Sequence, residues 1–455
     1  MRIAVLAIVL IALSILVLGA RTIGGPVLDW GAGLGFAALC IMGLASSTIR
    51  EWLLLAAAIV LSALLLQSKD EWDVFVQAVD LAAYFAAFIL LLTALKIAAE
   101  RSTSVLTVGR YLIGQPASGR YLATATGGHF LGVFLNFGAI SLMAPLIQNA
   151  AKRGDGTTDT DMERRQLSAL LRGFAWILLW APTTLSQAVL LTLFTDIDLG
   201  KIVVLGIATS VLMVIVGLFY DRAEWRGHAF AKTTPPPFPK KAIFRLAVVC
   251  GTLIAATAAL QIIWGFSTAL SLMFVAPTVT LLWFAAQRPA HTKMTTQLGT
   301  FWPALMGNAS GLARSAIALG LSGFIGRALA DVLPMYTLTA QLDLAGVPGW
   351  VFLASLPVLI TLGGQIALSP IILVVFIGQV VQTIPSLPAE PTHIVFALSA
   401  GWAISMFASP NATATLLISA TTNIPPTRLT WGWNLRYGLL CYAILVVIFA
   451  LIEAI

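Results

Sequence analysis

Long apolar runs alternate with short polar ones along the chain, and the apolar runs lack the period of two that marks membrane strands. Runs of about twenty residues suit helices that cross a bilayer. They predict helices near 3–20, 28–47, 51–67, 74–98, 169–194 and 202–220, then near 245–264, 266–286, 303–330, 393–420 and 432–453. Two further apolar stretches, 120–148 and 350–383, are interrupted at their middles by "LNFGAIS" (135–141) and "LGGQIALS" (362–369). Each predicts a re-entrant hairpin, because such turns survive at membrane depth only where protein or water covers them. The expected fold class is an all-α polytopic membrane protein of about eleven transmembrane helices plus two re-entrant hairpins.

Composition agrees. Of the 455 residues 59% are hydrophobic and 10% charged, and the mean hydropathy is +0.94. A soluble domain carries about a quarter of its residues as charges, so that class is excluded. The net charge of +7 sits in short loops and reports orientation rather than a nucleic-acid partner. Arg222, Arg226, Lys232, Lys240, Lys241 and Arg245 crowd the loop 221–245, which the positive-inside rule assigns to the cytoplasm. Counting from it puts the N-terminus in the cytoplasm and the C-terminus outside, in a multi-pass inner (plasma) membrane protein. The first hairpin then enters from the cytoplasm and the second from the opposite face.

The first twenty residues have one positive charge and an apolar run longer than a signal core, with Leu18 an unsuitable residue before a cut after Ala20. They read as a retained extra helix. Cys40, Cys250 and Cys441 lie far apart in apolar runs with no paired spacing, so neither a metal site nor any other cofactor is expected.

Sliding the sequence on itself by about half its length sets Ala181-Pro182-Thr183-Thr184 on Ser409-Pro410-Asn411-Ala412, and Asp80 on Asn308. Each half then runs three helices, a hairpin, a proline-broken helix and a last helix. Opposite entry of the hairpins makes the two halves inverted repeats. The expected division is an extra N-terminal helix at 1–20, a first repeat at 28–220, a cytoplasmic linker at 221–244 and a second repeat at 245–455. Inverted halves with broken helices are the architecture of secondary transporters.

The candidate chemistry follows from the breaks. Proline removes a backbone donor and frees carbonyls. The half-helix that restarts after it offers unpaired N–H groups and the positive end of its dipole to an anion. Pro182, Thr183, Thr184 and Ser186 mark the first break, and Ser409, Pro410, Asn411 and Thr413 the second. Asn136, Gly138 and Ser141 at one hairpin tip, with Gly363, Gly364 and Gln365 at the other, complete the candidate substrate and ion site. No catalytic residue is expected, and no metal beyond a transported or coupling Na+. Three single residues stand out. Asp80 reads as a proton carrier or a paired carboxylate, Arg314 as a counter-charge to substrate or a structural pair, and His129 as a structural or proton-coupling group.

This pattern of eleven helices, two opposed hairpins and two interrupted helices resembles the ion transporter superfamily, in particular its divalent anion:sodium symporter branch. That branch carries Ser-Asn-Thr at both tips, where this chain has Leu135-Asn136-Phe137 and Gly363-Gly364-Gln365. Asn136 carries over, and Gln365 stands as an amide substitute. The resemblance implies an elevator-type carrier that works as a homodimer, with segments 99–114 and 327–342 as interfacial arms. The departures at the tips leave Na+ and H+ open as coupling ion.

The expected function is gradient-driven secondary transport of a small anion, an organic carboxylate in the first instance. The alternatives are the membrane subunit of a carrier served by a soluble substrate-binding protein, a cation/proton antiporter, and a membrane-embedded lipid enzyme. An antiporter ordinarily needs a carboxylate at the breaks, and an enzyme needs an acid–base cluster. Neither motif is present in the sequence.

Overall fold

The computed structural model describes residues 2–43, 47–67, 71–152, 157–194, 197–228, 234–288, 291, 293–333, 344, 346–384 and 386–454. The first half contains α1 (Arg2–Thr22), α2 (Pro26–Gly43), α3 (Ile49–Leu65), α4 (Trp72–Glu100), α5 (Thr103–Ile113), α6 (Ala117–Leu135), α7 (Gly138–Ala151), α8 (Thr160–Ala175), α9 (Leu185–Leu193) and α10 (Leu199–Glu224). The second contains α11 (Lys240–Trp264), α12 (Thr268–Ala286), α13 (Met294–Gly299), α14 (Phe301–Val332), α15 (Gly349–Gln365), α16 (Pro370–Gln382), α17 (Pro391–Ala408), α18 (Thr413–Thr422) and α19 (Leu435–Glu453). Helices α6 and α7 form the first hairpin and α15 and α16 the second; α8/α9 and α17/α18 are the broken helices.

The fold is all-helical and polytopic. Among the described residues nine helices are long and apolar enough to cross a membrane, counting Pro391–Thr422 as one length. The other two of the predicted eleven are α3, which has only 17 residues, and the interrupted α8/α9.

Packing separates two groups of helices. In the frame, α4 lies along α14, with α1, α2, α3 and α12 packed around that pair. Small residues let the pair approach: Ala82, Ala83, Ala86 and Ala87 of α4 are fully buried, and a methyl group on Gly320 would sit 2.8 Å from the Ala82 carbonyl oxygen. The core group holds both hairpins, both broken helices, α10 and α19. Its centre is α17, buried along its whole length from Thr392 to Ala408. The groups meet where α14 runs along α16, where α4 touches α6 and α7, and where α12 touches α9.

Two boundaries differ from the sequence reading. Helix α8 starts at Thr160 rather than near 169, because Asp159 caps it: its Oδ1 accepts from the Met162 N–H at 3.0 Å. The polar run that follows, "TDMERRQ", reads as loop but is half buried. Arg165 is clasped by Asp221 of α10, its Nε 2.9 Å from Oδ1 and its Nη2 2.6 Å from Oδ2. The arm over 99–114 is the helix α5, capped by Ser102, whose Oγ accepts from the Val105 N–H at 3.4 Å. The second arm is different: its start, to Val332, continues α14, and 334–343 lie outside the described residues.

Candidate functional site

The sequence interrupts each broken helix with a proline, and the structure shows how the break is spanned. Between α8 and α9 the chain passes through a single 3-10 turn (Trp176–Leu179) and an irregular stretch around Pro182. The Gln187 amide Nε2–H then reaches back to the Leu178 carbonyl at 2.8 Å and also donates to Ser399 Oγ of α17 at 3.0 Å. In the register that sets Pro182 on Pro410, Gln187 falls on Thr415 and Leu178 on Met406. There the Thr415 hydroxyl donates to the Met406 carbonyl at 2.9 Å. One side chain in each break thus satisfies a carbonyl that proline has freed.

The same register aligns two close crossings. Gly173 of α8 lies against Ala125 of α6 so closely that a side-chain carbon there would overlap the Ala125 carbonyl, and its counterpart Gly401 of α17 would place one 2.7 Å from Pro357 Cα of α15. Each hairpin is therefore seated on its broken helix through a glycine. His129 of α6 reinforces the first seat: its Nδ1–H donates to the Gly173 carbonyl at 3.0 Å while Nε2 accepts from Trp180 Nε1–H at 3.1 Å. Both ring nitrogens are occupied, and the ring does not line the cavity described below.

Both hairpin tips carry a non-glycine residue at positive φ, Asn136 (φ 49°) in the first and Ala367 (φ 63°) in the second. This region costs a residue with a side chain on the order of 1–3 kcal/mol, so the surrounding contacts hold each tip in place. Thr183, just after Pro182, donates its hydroxyl to the Val133 carbonyl at 2.5 Å and ties the first break to the first tip. Asn411, just after Pro410, donates from Nδ2 to the Gly364 and Gln365 carbonyls at 3.1 Å each. Ser409 adds a hydroxyl to the Gly364 carbonyl at 2.6 Å, and the Gln365 side chain bonds the Ala408 carbonyl and Trp431 Nε1.

A cavity of about 500 Å³ opens between the two groups of helices. From the core group come Asn136, Phe137 and Gly138 of the first tip, Thr183 and Leu185 of the first broken helix, and Thr413 and Leu417 of the second. From the frame come Arg50, Glu51, Lys96, Glu100, Asn308 and Arg314 beside apolar residues of α4 and α14. Leu185 and Thr413 are the first residues of α9 and α18, so both restarting half-helices begin at this cavity. A helix start carries unpaired N–H groups and about half a positive charge, which suits an anion. Asn136 adds a buried amide oxygen with no hydrogen-bond partner among the described residues.

Of the sequence-predicted site residues, the cavity gathers Asn136, Gly138, Thr183 and Thr413. Ser141 bonds the Phe137 carbonyl one turn into α7, Thr184 bonds the Ala181 carbonyl, and the buried Ser186 hydroxyl has no partner among the described residues. None of these lines it, nor does Pro182 or Pro410. Gly363, Gly364, Gln365, Ser409 and Asn411 form the bonded knot at the second tip, away from the cavity. Asp80 is paired with Arg21 at 2.5 Å. Of the frame residues, the sequence reading singled out only Arg314 and Asn308. Arg50, Lys96, Glu51 and Glu100 carried no signal, because charges at helix ends look alike whether they face water or a site.

No family model and no curated protein matches the sequence. Solved structures share its fold. The YdaH transporter of Alcanivorax borkumensis superimposes with a TM-score of 0.55 at 17% identity, over 92% of this chain and 97% of that one. MtrF of Neisseria gonorrhoeae, which illuminates a class of antimetabolite efflux pumps, does so with a TM-score of 0.54 at 13% identity, over 88% of this chain and 94% of that one. At these identities the likeness is one of architecture.

Proposed function

We propose that the chain is a secondary active transporter of a small anion, an organic carboxylate in the first instance, driven by a Na+ or H+ gradient across the inner membrane. The observation that carries this reading is that both half-helix N-termini, at Leu185 and Thr413, open on one cavity with Arg50 and Arg314. Aligned N–H groups and guanidinium groups favour a negatively charged solute. The fold shared with a transporter and an efflux-pump protein supports a carrier over an enzyme.

In this reading the halves 28–220 and 245–455 are inverted repeats. The core group, hinged on the frame, presents the site alternately to each face, and the cavity seen here opens to the cytoplasm. The aligned cross-break bonds and glycine seats support the duplication. The test is uptake of labelled carboxylates and inorganic oxyanions into proteoliposomes under an inward Na+ gradient, an inward H+ gradient or neither. Gradient-dependent accumulation that Asn136→Ala abolishes is the expected result. No accumulation of any anion by folded protein would overturn it.

A further inference from the structure

The charge around the cavity is divided unevenly. Every ionisable side chain in the lining, Arg50, Glu51, Lys96, Glu100 and Arg314, belongs to α3, α4 or α14 of the frame. The hairpin and broken helices contribute only neutral groups. Both acids are already engaged: the Glu51 carboxylate accepts from the Thr48 N–H and hydroxyl at 2.6 Å each, and Glu100 pairs with Lys96 at 3.5 Å. Arg50 and Arg314 are exposed and form no ion pair with any described residue. Three cations against two carboxylates leave the lining a net charge of +1, and the two guanidiniums that no ion pair with a described residue holds, Arg50 and Arg314, are both on the frame.

Resting on the carrier reading above, we propose that Arg50 and Arg314 are a stationary charge-selecting pair: they draw the anion to the site from the face onto which the cavity opens and do not travel with it. The carried site recognises the anion through N–H groups and neutral polar side chains. When the core group moves, the site leaves the field of the two guanidiniums. Anion binding is then tighter from the cavity face than from the opposite face. A field of this kind raises local anion concentration about tenfold or more and fades as salt shortens the screening length to about 3 Å near 1 M.

The test needs no knowledge of the substrate. A reporter thiol is placed in the core-group wall by Thr413→Cys in a Cys250→Ala background, leaving the buried Cys40 and Cys441 in place. Labelling rates with an anionic (sulfonatoethyl) and a cationic (trimethylammonioethyl) methanethiosulfonate are compared, each relative to a free thiol, in right-side-out and inside-out vesicles. From the cavity face the anionic reagent is expected to be favoured about tenfold. The preference should fall to near parity in Arg50→Gln/Arg314→Gln or in 1 M salt and return in Arg50→Lys/Arg314→Lys. From the opposite face the neutralising pair should change nothing. An equal drop from both faces would show that the charges travel with the site, and no drop from the cavity face would show that they do not act on it; either overturns the inference. A thiol that reacts from one face only would overturn the carrier reading itself. Leu417→Cys, on the same wall, serves as a second reporter should Thr413→Cys fail to fold.

Discussion

The two hairpin-and-break units are built alike and finished differently. In the first, tip and break are joined among the described residues by one bond, Thr183 to Val133, and Asn136 Oδ1, Ser186 Oγ and Gln187 Oε1 find no partner among those residues. In the second, Ser409, Asn411 and Gln365 consume one another's donors and acceptors, with Trp431 closing the knot. Buried polar groups are ordinarily satisfied, and unsatisfied ones cost about 1–3 kcal/mol each. The second unit has buried orphans too, at Thr361, Ser369 and Ser405, but of these six only Asn136 lines the cavity, which in the carrier reading makes the first tip the one held ready for a ligand. The second unit spends the same residue types on holding its tip shut.

The comparison is broken most severely at the glycine seats. Both methyls would meet backbone, but that of Gly173→Ala would overlap the Ala125 carbonyl and is expected to prevent stable folding, whereas that of Gly401→Ala would sit 2.7 Å from Pro357 Cα, and this variant should fold with a loss of about 1–3 kcal/mol. Thermal unfolding in detergent measures both. If Gly401→Ala proved the worse, the two seats would not differ as the distances say. Next in size is Asn411→Ala, which removes the side-chain donor of the Gln365 carbonyl and leaves the Gly364 carbonyl to the Ser409 hydroxyl, and should cost about 1–3 kcal/mol. Asn136→Ala should leave the melting temperature nearly unchanged while abolishing anion uptake. Equal effects of the two on stability would erase the distinction between a holding unit and a binding unit.

A smaller and matched effect is expected at the cross-break bonds. Gln187→Leu and Thr415→Val each remove one, at about 0.5–1.5 kcal/mol; Gln187→Leu loses its bond to Ser399 as well, and a gap larger than that second bond would argue against equivalent roles. Smallest is Trp431→Phe, which loses only the bond to Gln365, with a cost of about 1 kcal/mol or less, read as a slight fall in melting temperature with uptake retained.

The helices, both hairpins and both breaks were legible because each rests on local chemistry: apolar length, glycine and polar residues at a tip, proline in an apolar run. The start of α8 was not, since Arg164 and Arg165 read as loop charge until Glu224 and Asp221 are brought beside them. The site was legible by half. Asn136, Gly138, Thr183 and Thr413 announce themselves as polar groups in oily sequence. Asn411 announces itself equally and is spent on structure, because which carbonyl an amide meets is settled by packing between segments far apart in the chain. Arg50 and Lys96 belong to the cavity only through the crossing of α3, α4 and α14, which no local pattern encodes.

Gln187 and Thr415 have a mechanical consequence. A helix interrupted by proline is usually a joint, but here each interruption is bridged by a side chain from the far segment to the near one. Each pair of half-helices is spliced like a repaired rod: its ends expose their dipoles without surrendering stiffness. In the carrier reading, displacement of the core group then falls on its borders with the frame, and the two rods carry load rather than bend.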